Sequence, residues 1–245
     1  MTTTIRVALF LTLIAASSPC VFAGAGRKAR PKEPEKSLEP SFPPATPQQV
    51  EKLIAVLKSD APQHDKVTAC RQLSVIGSKD AVPVLVGLLA DEKLGHMARY
   101  ALEPNPDKSV DVALREALGK LKGRLLVGII GSIGVRRDAE AVPLLAKLLQ
   151  DADADVIRVT AQSLGKIGNT DAATALSEAL RRARADQRPS VADGCLACAE
   201  ALIAKDKRSD AAAMFDAVAK ADLPVHFRLA ATQGAILARQ PGKKQ

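Results

Sequence analysis

Apolar residues recur along this chain in a phrase repeated roughly every thirty positions. Leu85 with Leu88 and Leu89 is followed by Leu114 with Ala117 and Leu118, Leu145 with Leu148 and Leu149, and Leu176 with Ala179 and Leu180. The leading leucines are 29, 31 and 31 residues apart, and Leu53 stands 32 before Leu85. Spacings of three and four within a phrase put its apolar side chains on one helical face. A second phrase alternates with the first: Leu73 to Gly77, Ile130 to Gly134 and Leu164 to Gly168 align, with Leu102 about midway between the first two. Their leading residues step by 29, 28 and 34. One helix pair cannot bury its apolar side alone, so self-similarity at this period predicts a row of stacked helical hairpins.

The residues between the phrases agree. Thr46, Pro47 and Gln49 supply an N-cap, a first-turn proline and a capping-box glutamine for the helix carrying Leu53, Val56 and Leu57. The closing glycines Gly77, Gly134 and Gly168 suit a left-handed residue at a helix C-terminus. Short, mostly polar turns end in Asp80, Asp138 and Asp171, which predicts aspartate caps for the next helices. Glu103, Pro104, Asn105 and Pro106 must stop the helix of Leu102. Beyond Leu180 the register loosens at an insertion, 181–188, and the remaining helices are predicted at about 189–204, 209–221 and 224–239. These read as the atypical end of an array.

The flanking segments follow different rules. Arg6, the apolar run 7–16 and small residues up to Ala23 predict a secretory signal peptide over 1–23, too short and too interrupted to span a bilayer. Residues 24–47 form a basic linker with prolines at 31, 34, 40, 43, 44 and 47. The repeat domain is assigned to 48–240 and a basic tail to 241–245. Export places the mature chain in the periplasm or outside the cell, and no later stretch is apolar enough to be a transmembrane segment.

The chain's net charge of +8 falls to about +7 once Arg6 is removed, which favours an anionic partner. Nucleic acid is not expected: only Phe42, Tyr100, Phe215 and Phe227 survive signal removal, too few aromatics for base stacking. Cys70, Cys195 and Cys198 remain, an odd number, so at least one thiol is free or pairs between molecules. Stability must come from packing.

The phrases Asp80 to Leu89 and Glu140 to Leu149 resemble the first helix of HEAT repeats, and Ala161 to Gly168 resembles the matching second helix. The short period resembles the HEAT-like subgroup also found in phycobilisome lyases, and the whole is similar to secreted bacterial HEAT-repeat proteins. The aromatic-rich consensus of tetratricopeptide arrays is absent. The resemblance implies an all-α fold, a right-handed α-α superhelix (a HEAT-like solenoid of about six helix pairs). It also implies a protein that binds other macromolecules.

Candidate chemistry is sparse, and no catalytic constellation, metal site or cofactor is expected. Cys195 and Cys198 are a redox candidate, but no strand precedes them and the helix starts earlier, near Pro189. A packing role or a labile disulfide is expected of them. His64, His96 and His226 lie in different repeats and lack the His-Glu pairs of the HEAT-like deoxyhypusine hydroxylases. Gly128, Gly131 and Gly134 have no Gly-Lys-Ser/Thr ending, and predict close approach of a neighbouring helix.

Each second helix carries another stripe, six and two before its leading residue and two after. It reads Arg158, Gln162 and Lys166 in one repeat, Arg124, Gly128 and Ser132 in the previous one, then His96 with Tyr100, and Arg71. In HEAT arrays second helices line the concave side, so Arg71, His96, Tyr100, Arg124, Arg158, Gln162 and Lys166 are the expected binding residues. The reading is an exported, non-enzymatic scaffold whose partner is another protein with an acidic surface. A HEAT-like lyase or oxidoreductase subunit and a binder of acidic surface glycans are the alternatives.

Overall fold

The computed structural model describes residues 46–240, which fall within one compact unit. The signal peptide, all but the last two residues of the linker, and the basic tail lie outside the described residues. Twelve α-helices and no strand are present among the described residues. They form six hairpins: α1 (Pro47–Lys58) with α2 (Gln63–Ile76), α3 (Val82–Gly87) with α4 (Gly95–Leu102), and α5 (Ser109–Leu118) with α6 (Gly123–Arg136). α7 (Val142–Leu148) with α8 (Ala154–Ile167), α9 (Thr170–Arg182) with α10 (Arg188–Ala204), and α11 (Arg208–Lys220) with α12 (Val225–Arg239) complete the row.

The leading residues of the repeated phrases are the floor of the core. Leu85, Leu114, Leu145 and Leu176 on first helices, and Leu73, Leu102, Ile130, Leu164 and Leu202 on second helices, are each 1 % exposed or less. Full burial of such a side chain contributes roughly 1.5–3 kcal/mol, repeated once on each helix from α2 to α10. The helices expected beyond Leu180 are present, each within about a residue of its predicted limits.

Several helix ends follow the sequence and three differ from it. Thr46 caps α1 by accepting from the Gln49 N–H, Gly77 and Gly168 close α2 and α8 in the left-handed region, and Asp138 accepts from Glu140 N ahead of α7. Asp80 is not the expected cap, because Ser78 accepts from the Asp80 N–H instead. Asp171 yields likewise to Asn169, which accepts from Ala172 N at 2.8 Å. Gly134 does not close α6: the helix runs two residues further, to Arg136, and Arg137 takes the left-handed turn at φ +55°. The extension carries the Arg136 guanidinium back onto the carbonyls of Leu102, Glu103 and Asn105 and the carboxylate of Asp111. Five acceptors on a largely buried cation, the Asp107 carbonyl being the fifth, outweigh the local preference for glycine at a helix end.

Second helices pack extensively on one another at α2/α4, α6/α8 and above all α8/α10, whereas α4/α6, α10/α12 and neighbouring first helices touch sparingly. The second helices thus make the more closely packed of the two rows, termed the inner row. Between first helices, grooves remain: about 680 Å³ between α7 and α9 beside Val142, Ala146 and Ala179, and about 190 Å³ between α3 and α5. The last hairpin departs from the pattern, since α11 packs on α10 more extensively than any earlier first helix does on the preceding second helix. α12 turns Val225, Leu229, Ile236 and Leu237 to solvent.

Candidate functional site

On α8 the sequence itself creates an exposed stripe between two packed seams. Val159 and Ser163 meet Gly131 and Gly134 of α6, while Ala161 and Gly165 meet Gly194 and Ala197 of α10. Arg158, Gln162 and Lys166, four apart, stand between those seams and are exposed. The same construction exposes Arg71 on α2, His96 and Tyr100 on α4, and Arg124 on α6. All seven sequence-predicted residues therefore lie exposed on the inner row.

Their electrostatic partners are weak or absent. Arg158 meets Asp155 one turn away at 2.7 Å, and Arg124 meets Glu92 at 3.3 Å, both pairs well solvated. Solvated pairs of this kind contribute about 0–1 kcal/mol, so an incoming anion displaces them readily. Arg71 and Lys166 form no ion pair among the described residues.

The stripe is not uniform. Ser132 is buried rather than presented, and its hydroxyl donates to Glu103 Oε1 at 2.7 Å. Gly128 is covered by the side chain of Arg99. On α10 the equivalent positions are Leu196, Glu200 and Ala204, with Asp193 exposed nearby, so the basic run ends at α8. Burial raises the Asp193 carboxyl, with His226 pulling the other way.

Much of the chain's positive charge is structural. Lys205 Nζ donates to the carbonyls of Ile167 and Gly168 at the end of α8, and Arg208 to those of Leu237 and Gln240 at the end of α12. Arg136 does the same for α4. Cations there satisfy orphan carbonyls and the negative end of the helix dipole. Net charge alone overstates what the protein offers a partner.

Of the two roles expected for the cysteine pair, burial fits the packing role. Cys195 and Cys198 lie inside α10, both free and fully buried, so no disulfide joins them. Burial pushes the thiols up to about 12 and about 11, and Cys70 to about 11. Redox chemistry needs an accessible thiolate, which these positions do not provide. No three His, Cys, Asp or Glu side chains converge as a metal site among the described residues.

Sequence reading missed Arg99. It lies on α4 half-buried against Gly128 of α6, and burial lowers its pKa against the opposing pull of Glu103. The signal was its register, three residues before the leading Leu102.

Residues 100–193 match the sequence model of the family described as HEAT repeats. The comparison with curated proteins gives no match. Among solved structures, an engineered protein is similar at 20 % identity over 77 % of this chain and 95 % of its own, with a TM-score of 0.45. The complex of CpcE and CpcF of phycocyanin lyase from a Nostoc species is similar at 20 % identity over 79 % of this chain and 76 % of that chain, TM-score 0.41. A second engineered protein matches at 20 % identity, covering 78 % and 58 % of the two chains, TM-score 0.42. Residues 100–193 therefore carry HEAT-like repeats, and the recurring phrases continue the same stacked hairpins on either side of them.

Proposed function

We propose that the chain is an exported, non-enzymatic scaffold that holds an acidic protein along the inner row of helices from α2 to α8. One observation carries this reading: Arg71, His96, Tyr100, Arg124, Arg158, Gln162 and Lys166 are all exposed on successive second helices, where an array of packed hairpins fixes their spacing. A rigid row pays little ordering entropy on binding, so many individually weak contacts add up along it. Carboxylates on the partner replace the solvated Asp155 and Glu92 around Arg158 and Arg124. The signal-peptide pattern over 1–23 supports export, and the partner is then an envelope or extracellular protein.

The test is calorimetric titration of the full-length chain with an acidic probe, N-acetyl-hexaglutamate amide, at low and high salt. Binding that weakens with salt, and weakens further on the order of tenfold in R124E/R158E, is the expected result. Equal binding by wild type and the double variant overturns the reading. N-terminal sequencing of the mature protein from the envelope fraction checks export; a retained Met1 there overturns it.

A further inference from the structure

The seam between α4 and α6 breaks a rule that the rest of the inner row obeys. Three residues before each leading residue, second helices carry Cys70, Val127, Ala161 and Ala199. One residue after it they carry Ser74, Gly131, Gly165 and Ile203. In α6 and α8, Gly131, Ala161 and Gly165 face the next second helix, where a small or apolar side chain lets the two approach. Repeat two puts Arg99 and Glu103 at the same two positions. Opposite Arg99, α6 has Gly128, where a Cβ would overlap the guanidinium. The facing helix has therefore given up a side chain at the point where the cation lies.

The pairing inside this seam is equally unusual. Arg99 and Glu103 are one helical turn apart, a spacing that ordinarily gives an ion pair. They form none: Glu103 Oε1 accepts from the buried hydroxyl of Ser132 at 2.7 Å, and Arg99 has no carboxylate within ion-pair distance among the described residues. Its nearest negative charge, Glu103, is engaged by Ser132, so the half-buried guanidinium keeps its donors available to an incoming acceptor. Other deeply placed cations are satisfied within the fold: Arg136 and Lys205 by helix-end carbonyls, and Arg115 by the carboxylates of Asp138 and Glu140. Arg99 also borders the exposed stripe, beside His96 and Tyr100 on its own helix and Arg124 on the next.

We propose that Arg99, seated on Gly128, is the anchor of the inner row: it takes one carboxylate of an acidic partner segment in a bidentate pair. The inference rests on the reading of the inner row as the binding face and adds a specific subsite to it. The guanidinium fork fits a planar carboxylate, and half-burial strengthens the pair relative to the solvated cations around it. Glu103 sets the charge preference. One turn away, it repels a dianion such as phosphate more than a single carboxylate, while Ser132 holds it from closing on Arg99 itself.

The experiment titrates N-acetyl-hexaglutamate amide into wild type, R99K, G128A and E103Q, with circular dichroism confirming unchanged helix content. R99K keeps the charge and removes the fork, and is expected to lose about tenfold in affinity. G128A pushes the guanidinium off its seat and is expected to lose about fivefold, and E103Q removes the neighbouring negative charge and is expected to gain about threefold. If R99K binds as tightly as wild type, the anchor is overturned while the inner-row reading stands. If wild type itself does not bind at low salt, both fall. Displacement of the peptide from wild type by millimolar inorganic phosphate, absent in R99K, overturns the carboxylate assignment.

Discussion

The α8/α10 and α4/α6 seams present the same two repeat positions from α8 and α4, Ala161 and Gly165 against Arg99 and Glu103, yet they are held together in opposite ways. At α8/α10 glycine and alanine interdigitate. A Cβ added to Gly194 would sit against the Ala161 carbonyl, and one added to Gly165 would meet the Gly194 carbonyl. At α4/α6 the contact is much sparser, and polar groups bridge it: Arg136 clasps the end of α4, Ser132 reaches Glu103, and Arg99 lies over Gly128. Glycine thus has two uses in one fold. In the first seam it admits a backbone; in the second it admits a cation. The difference teaches that a dry seam fixes the distance between repeats, whereas a polar seam leaves chemistry near the surface.

Removing the clasp is the most damaging way to test the contrast. The Arg136 side chain is 8 % exposed, and R136A strands Asp111 and four carbonyls. A loss of about 3 kcal/mol is expected in urea denaturation. A loss under 1 kcal/mol would mean that α4 and α6 are held by packing after all.

Next comes a methyl group added to the dry seam. Ala normally stabilises a helix interior over Gly by about 1 kcal/mol. G194A is expected to do the reverse and destabilise by about 2 kcal/mol, because its neighbour is backbone and cannot yield.

The dryness of the array also shows in its thiols. Cys70, Cys195 and Cys198 have folded pKa values of about 11, 12 and 11, above the unfolded value of 9.0. The stability they contribute is intact below about pH 9 and is lost as pH rises through the folded values. By pH 10 each is expected to cost roughly 1 kcal/mol. The denaturation midpoint of wild type should therefore fall more steeply from pH 9 to 11 than that of C70A/C195A/C198A. Parallel curves would show that the thiols are accessible.

A smaller and opposite effect is expected at the polar seam. In G128A the new methyl meets only the far end of Arg99, a flexible side chain that can swing away. The fold should be unchanged or gain up to about 1 kcal/mol. A loss as large as that of G194A would erase the distinction between the seams.

Smallest of all is L229E on the outer face of α12, where Leu229 is 58 % exposed. The change should shift stability by less than about 0.5 kcal/mol. A larger loss would show that this face is covered in solution.

The same contrast explains what could be read in advance. Leu85, Leu114, Leu145 and Leu176 were legible as core because a helix's buried face is set by residues three and four apart. Arg71, Arg158 and Lys166 were legible as exposed by the same rule. Gly134 misled because its fate depends on Arg136 reaching acceptors more than thirty residues away. Arg99 was passed over because an arginine inside a seam has meaning only against the residue facing it, Gly128.

Sequence alone determined the number of hairpins, the leucines that fill them and the stripe left exposed, since each follows from periodicity within one helix. Tertiary structure decided which helix ends are clasped by distant cations, which glycines admit backbone and which admit a guanidinium, and which positive charges remain free for a partner. Those outcomes depend on distances between helices, and such distances are fixed only when two non-adjacent faces are packed together.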